Sequence, residues 1–245
     1  MTRIAMMAVA VLCYLAFFAA FVYFVGFAGN FPGWPLTVDR GPQSPLGTAL
    51  LIDLALVALF GLQHSIMARP AFKVAWTRIV PAPIERSIYC LASALALGVM
   101  FYFWQPITSI VWDVTNPAGR IALWSLFGLG WVLVFISTHL ISHWELFGLA
   151  QPWRHMRGIE APPPNFRTPG FYRAVRHPIY LGFLLAVWAI PTMTVGHLVL
   201  AAGLSVYILI GVRYEERDLI THFGAQYADY RTRVGMLIPG LGKRA

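Results

Sequence analysis

"PIYLGFLLAVWAIPTMTVGHLVLAAGLSVYILIGV", residues 178–212, contains no Asp, Glu, Lys or Arg. As one helix it would run about 50 Å, well beyond the ~30 Å of hydrocarbon that a single crossing spans. Pro191, Thr192, Thr194, Gly196 and His197 stand at its middle. Breaker and turn residues in that position predict two short helices folded into a hairpin.

Working outward, apolar runs predict spanning helices near 4–27, 47–67, 84–104 and 118–142. The first run exceeds the apolar core of a signal peptide and is read as a retained helix. The whole chain is 58% apolar and 11% charged, against about 25% charged in soluble domains. The expected fold class is all-α, a polytopic integral membrane helical bundle of five to six transmembrane helices. Its last two helices form the hairpin. No internal repeat or soluble second domain is visible, and the chain divides into residues 1–142, with the first four helices, and 143–245, with a connector, the hairpin and a C-terminal segment. Cys13 and Cys90 lie inside apolar runs and are read as buried small hydrophobes. Trp34, Trp104, Trp112, Trp124 and Trp144 are read as interface-belt anchors.

The net charge of +8 is read by location, since membrane proteins gather Lys and Arg on the cytosolic side. No basic tail of the nucleic-acid-binding kind is present, and no nucleic-acid partner is expected. Arg69, Lys73, Arg78 and Arg86 mark one segment, Arg154, Arg157, Arg167, Arg173 and Arg176 a second, and the tail from Arg213 to Lys243 and Arg244 a third. The loops 105–117 and 191–197 have no Lys or Arg, and 28–46 has only Arg40. This alternation predicts six crossings in a plasma membrane of bacterial type, with both termini and the polar helix ends on the cytoplasmic side.

Ionisable residues within apolar helices are costly and therefore informative. Asp53, Gln63 and His64 fall on the second helix, Glu85 and Arg86 at the start of the third, and His139, His143 and Glu145 near the end of the fourth. All but Asp53 are predicted at cytosolic ends, which suggests a pocket open to the cytosol. Asp53 is read as a structural hydrogen-bonder, and Glu85 with Arg86 either as an interface pair or as part of the pocket. His139 and His143, four apart, should share a helical face. The chain lacks the clustered ligands that a di-iron membrane hydroxylase needs, and no metal is expected.

At the threshold of the hairpin stands "RAVRHPIYLGF", residues 173–183. Pro178 suits the first turn of a helix, whose start leaves donors free to attract an anion. Arg176 and His177 can hold a carboxylate, while Tyr180 offers an aromatic face and Gly182 a point of close backbone approach. The returning helix ends in "VRYEERDL", 212–219, followed by "FGAQYADY", 223–230. Tyr214, Glu215, Glu216, Tyr227 and Tyr230 should therefore gather near Arg176 and His177. Cation-binding, anion-binding and stacking groups together suit a zwitterion carrying an aromatic base, of which S-adenosylmethionine is one. Snorkelling residues at a helix end would give the same pattern.

"RHPIYLG", an apolar hairpin and then "EERDL" resemble the cofactor-binding half of the isoprenylcysteine carboxyl methyltransferase superfamily, integral membrane enzymes that use S-adenosylmethionine. "SHWELFGLAQ" at 142–151, "PTMTVGHL" at 191–198, "YILIGVRYEERDL" at 207–219 and "VGMLIPG" at 234–240 are similar to the methanethiol S-methyltransferases within it. The resemblance implies methyl transfer from S-adenosylmethionine to methanethiol, giving dimethyl sulfide, with residues 143–245 carrying the cofactor and Gln151 joining the cofactor-binding set. A small thiol must lose its proton, and His64, His143, His139 and Glu145 are candidate bases or relays. Tyr89 could hydrogen-bond the thiol. Two alternatives are a lipid-sized acceptor, such as a prenylated cysteine or a phospholipid amine, and a transporter or scaffold without enzymatic activity.

Overall fold

A computed structural model describes residues 1–243; Arg244 of the basic tail lies outside the described residues. The helices are α1 (Arg3–Ala28), α2 (Leu46–Ala68), α3 (Pro70–Trp76), α4 (Glu85–Phe103), α5 (Pro117–Ile141), α6 (His143–Leu146), α7 (Ala150–Arg157), α8 (Pro178–Trp188), α9 (Val195–Phe223) and α10 (Ala225–Arg233). Two short strands, β1 (Ile110–Asp113) and β2 (Thr192–Thr194), pair as a small sheet. The helices α1, α2, α5, α9 and the stretch Ala82–Phe103 containing α4 are long and apolar enough to cross a membrane. The chain is an all-α polytopic membrane protein.

The turn expected in the middle of 178–212 is present, and its two arms are unequal. The first, α8, has 11 residues and rises only about 16 Å. The second, α9, has 29 residues. It does not end within "VRYEERDL", 212–219, as the sequence suggested, because no Gly or Pro follows until Gly224, whose φ of +54° breaks the helix. "VRYEERDL" therefore lies inside α9 and not at its end. The loops lacking Lys and Arg meet one another: Val114 N donates to Pro191 O at 2.9 Å, and Thr192 Oγ1 donates to Asp113 Oδ1 at 2.7 Å.

The chain forms two compact units. The first comprises residues 1–109, 143–162 and 194–200, and the second 110–142, 163–193 and the chain from 201 onward. In the first, α4 packs on both α1 and α2, and α7 packs on α1. Trp104 is 1% exposed and donates to Val38 O, so it is a core residue and not a belt anchor. Asp53 is fully buried and accepts the backbone N–H of Gln105 at 2.8 Å, capping a donor just past α4. Ser87 Oγ donates to Gly148 O at 2.6 Å and Arg86 Nε to Leu146 O at 2.8 Å. Gly148, at φ +79°, sits where a Cβ would lie 2.5 Å from Ser87 N. These contacts fix the α6–α7 segment on the start of α4.

In the second unit α5 packs along α8. Asn116 begins α5 as its cap, its Oδ1 accepting from Ala118 N and Gly119 N, with Pro117 next in line. A Cβ on Gly130 would lie 2.6 Å from Gly182 O, and one on Gly182 would lie 2.6 Å from Gly130 O. Small residues thus let two backbones meet, as membrane helices require when no hydrophobic force joins them. Gly182 is spent on this helix contact, which corrects its assignment to the cofactor.

Gly182→Val should force α5 and α8 apart at a cost of about 1–3 kcal/mol. Chemical unfolding in detergent should register the loss, whereas Gly128→Ala, which meets nothing within 4 Å, should be nearly neutral.

Candidate active site

Arg176 and Glu216 form a buried ion pair in the second unit, Nε to Oε1 at 2.7 Å, with side chains 0% and 4% exposed. Consecutive helical residues point about 100° apart. Glu216 is therefore turned inward on α9 while Glu215 is 43% exposed. His177, at the cap of α8, stands between the two carboxylates: its Nε2 lies 3.1 Å from Glu216 Oε1 and its Nδ1 3.7 Å from Glu215 Oε2. A carboxylate only accepts, so His177 Nε2 carries a proton.

The remaining donors of Arg176 go to backbone oxygens, Nη1 to Arg231 O and Val234 O and Nη2 to Gly242 O. The carboxylate of a ligand, which the sequence reading gave to Arg176, meets no donor left over from this set beyond one of the five guanidinium hydrogens. Arg176 instead fastens α9, the end of α10 and the tail to the start of α8. The tail pairs alongside it, Arg176 N donating to Gly235 O at 2.9 Å and His177 N to Met236 O at 3.2 Å. Gly235 has no room for a side chain, since a Cβ would lie 2.2 Å from Ile238 O. The block "VGMLIPG", which the sequence reading marked only by its resemblance to a family, thus has a structural role.

Tyr227 and Tyr230 are buried and pack with Phe166, whose ring lies 6.0 and 5.4 Å from theirs. Burial pushes the Tyr230 phenol up to about 12, and burial, Glu216 and Glu215 also push Tyr227 upward. Both remain neutral donors at ordinary pH. Tyr230 Oη donates to Tyr172 O, whereas Tyr227 Oη, Arg231 Nε and Glu215 Oε2 are buried without a hydrogen-bond partner among the described residues. Arg231 Nε lies 3.8 Å from Glu216 Oε2. Phe166, Tyr172 and Arg231 were missed by sequence reasoning. A basic cleft of about 210 Å³, lined by Phe166, Thr168, Arg173, Tyr230, Arg233 and Val234, opens in the same unit. Tyr180 stacks on His177 at 5.6 Å, Pro178 occupies the first position of α8 as expected, and Tyr214 is 48% exposed.

The candidate bases separate differently. His139 and His143 do not share a helical face, because α5 ends at Ile141 and Ser142 continues in extended backbone before α6. His139 belongs to the second unit and is exposed, its Nδ1 2.9 Å from Phe135 O. His143 belongs to the first, 7% exposed, with Nε2 2.9 Å from Tyr14 Oη. Glu145 pairs with Arg154 at 2.7 Å. Gln151 is also in the first unit, its Nε2 donating to Glu145 O at 3.0 Å, and it lines a cleft with Ala82, Pro83, Arg154, His155 and Ile159. His64, Tyr89 and Ser93 form a group of their own: His64 Nδ1 is 3.1 Å from Ser93 Oγ, and Tyr89 Oη donates to His64 O at 3.3 Å.

The methanethiol S-methyltransferase of Pseudomonas deceptionensis is 52% identical over 239 residues, covering 98% of this chain and 91% of the relative. That of Crocosphaera subtropica is 46% identical over 245 residues, covering 100% and 96%. The chain belongs to the methanethiol S-methyltransferase family. A more distant relative, nurim of Xenopus laevis, is 34% identical over 175 residues, covering 68% of this chain and 61% of nurim. No family model matches the chain, and no solved structure matches it.

Removing one member of the buried pair strands the other charge. Arg176→Ala should lower stability by about 3–5 kcal/mol, measured by unfolding in detergent. The double variant Arg176→Met with Glu216→Leu should recover most of that loss.

Proposed function

We propose that the chain transfers the methyl group of S-adenosylmethionine to methanethiol, yielding dimethyl sulfide and S-adenosylhomocysteine. The observation that carries this reading is the likeness, along nearly the full length, to methanethiol S-methyltransferases. The residues of the second unit fit such a methyl donor. Two buried donors, Tyr227 Oη and Arg231 Nε, and one buried acceptor, Glu215 Oε2, have no hydrogen-bond partner among the described residues, and a ligand bearing carboxylate, ammonium and hydroxyl groups supplies both kinds. Arg231 would take over the anion-binding role first given to Arg176, and Glu215 would receive the ammonium or ribose hydroxyls. Tyr230 with Phe166 offers an apolar wall for the base. The 210 Å³ cleft beside them is smaller than the ~300–1,000 Å³ of sites that enclose a drug-sized ligand, so it would take one end of the donor. The basic segments around this cluster support a cytoplasmic position for it by the positive-inside bias.

The donor supplies a methyl group on a sulfonium sulfur. The chain must then bring a thiol in line with that methyl, exclude water and take the thiol proton. His64, His143, His139 and Glu145 are the candidate bases, and His64 Nδ1 meets Ser93 Oγ at 3.1 Å. Glu145 is already paired with Arg154, and His143 Nε2 is engaged with Tyr14.

Purified protein in detergent, given methyl-labelled S-adenosylmethionine and methanethiol, should release labelled dimethyl sulfide; binding of the donor without such release would refute the reading. Glu215→Gln should weaken the calorimetric affinity for S-adenosylmethionine about tenfold or more, since a hydrogen bond to a charged group contributes about 1.5–3 kcal/mol. Thermal stability should change little, because Glu215 is half-exposed.

A further inference from the structure

Two sides of α7 do different things. Gln151, Arg154 and His155, at i, i+3 and i+4, share one side, while Arg157 stacks on Trp153 on another. Gly158, at φ +68°, ends the helix and turns the chain back, so that Ile159 N donates to Arg154 O at 2.9 Å. Gln151, Arg154, His155 and Ile159 thereby line, with Ala82 and Pro83, a cleft of about 240 Å³. All of these residues belong to the first unit. Ala82 is also the first residue of the apolar stretch Ala82–Phe103 that is long enough to cross a membrane, so the cleft lies where hydrocarbon gives way to phospholipid headgroups. Ile4 and Ile159 are 73% and 55% exposed, available to acyl chains.

Inside the cleft one acceptor is unmatched. Gln151 Oε1 is buried without a hydrogen-bond partner among the described residues. The amide cannot be turned over, because Nε2 donates to Glu145 O at 3.0 Å and reversal would set two oxygens against each other. A buried acceptor left unpaired is costly, and a ligand with an N–H donor removes that cost. Arg154 and His155 add donors beside it, which suit a phosphate. The fixed charges balance. Arg154 is paired with Glu145 at 2.7 Å. Arg3, whose Nη1 lies 4.0 Å from where a Cβ on Gly158 would stand, and Glu160, between Ile159 and Ala161, add one charge of each sign. Such a site suits a zwitterion better than an anion.

We propose that this cleft binds the headgroup of phosphatidylethanolamine from the surrounding bilayer, with the phosphate on Arg154 and His155 and the ammonium on Gln151 Oε1. Phosphatidylcholine carries the same phosphate and the same net charge but no N–H, and it leaves Gln151 Oε1 unmatched. At about 240 Å³ the cleft is smaller than the ~300–1,000 Å³ of sites that enclose a drug-sized ligand. It therefore takes the headgroup and leaves the acyl chains in the bilayer.

Native mass spectrometry of the full-length protein in detergent, titrated with phosphatidylethanolamine or phosphatidylcholine of the same acyl chains, reads the two affinities. Wild-type protein should bind phosphatidylethanolamine about tenfold or more tighter, the effect of one hydrogen bond to a charged group. Gln151→Leu should weaken phosphatidylethanolamine to the level of phosphatidylcholine and leave phosphatidylcholine unchanged. Arg154→Gln combined with His155→Gln should weaken both lipids about tenfold, since both present the phosphate. Arg157→Gln, on another side of α7, should change neither by more than about twofold. A wild-type preference for phosphatidylethanolamine below about twofold overturns the proposal, whether or not the variants fold. So does an equal loss of both lipids in Gln151→Leu, or tighter binding of the anionic phosphatidylglycerol. O-Phosphoethanolamine, which has no acyl chains, should bind at least about tenfold more weakly than the lipid. Equal binding would make the ligand a free solute and overturn its assignment to the bilayer.

Discussion

The second unit is organised around one guanidinium. Arg176 holds Glu216 and donates to three backbone oxygens from different parts of the C-terminal region. An isolated charge buried this deeply would be costly, and the pair is tolerable only because both members are satisfied. The geometry of the pair and its backbone partners therefore constrains everything attached to it. The cap of α8, the inward face of α9, the end of α10 and the turn around Gly235 are set together.

That constraint explains why two adjacent glutamates do different things. Glu216 is consumed by structure, held by Arg176 and His177. Glu215, rotated away on the same helix, keeps one buried oxygen without a hydrogen-bond partner among the described residues. His177 links them, so a charge brought to Glu215 acts on a residue already bound to the structural pair. The binding role proposed for Glu215 and the fold would thus share a histidine, while the oxygen proposed to meet a ligand and the oxygen that holds the fold remain distinct.

The spanning helices were legible because hydropathy over some twenty residues is a bulk property that packing does not overturn. The break around Pro191 and the meeting of Arg176, His177, Glu215 and Glu216 were legible too, since chain connectivity brings the two ends of a hairpin together. What escaped the sequence lies mostly in the backbone. The partners of Arg176 include carbonyls of Arg231, Val234 and Gly242, and a carbonyl is the same in every residue type. The end of α5 at Ile141 was hidden because Ser142 carries no strong stop signal, and so His139 and His143 looked like one face. Gly182 was visible as a point of close approach, but no single sequence says whether a glycine is approached by a ligand or by another helix. Gly130 resolves that ambiguity only once both backbones are placed.

Polar side chains in the spanning helices can be sorted by where their hydrogen bonds go. Asp53 serves the backbone N–H of Gln105, which lies just past α4 and outside its hydrogen-bond ladder, and a residue that supplies what the backbone lacks is accounted for by folding. His64, Tyr89 and Ser93 are different, because the carbonyls they engage on α2 and α4 belong to helical residues that need no help from side chains. Three polar groups in an apolar helix pair carry a desolvation cost, which their mutual hydrogen bonds offset without profit to the backbone. A packed apolar trio would join α2 to α4 at least as well.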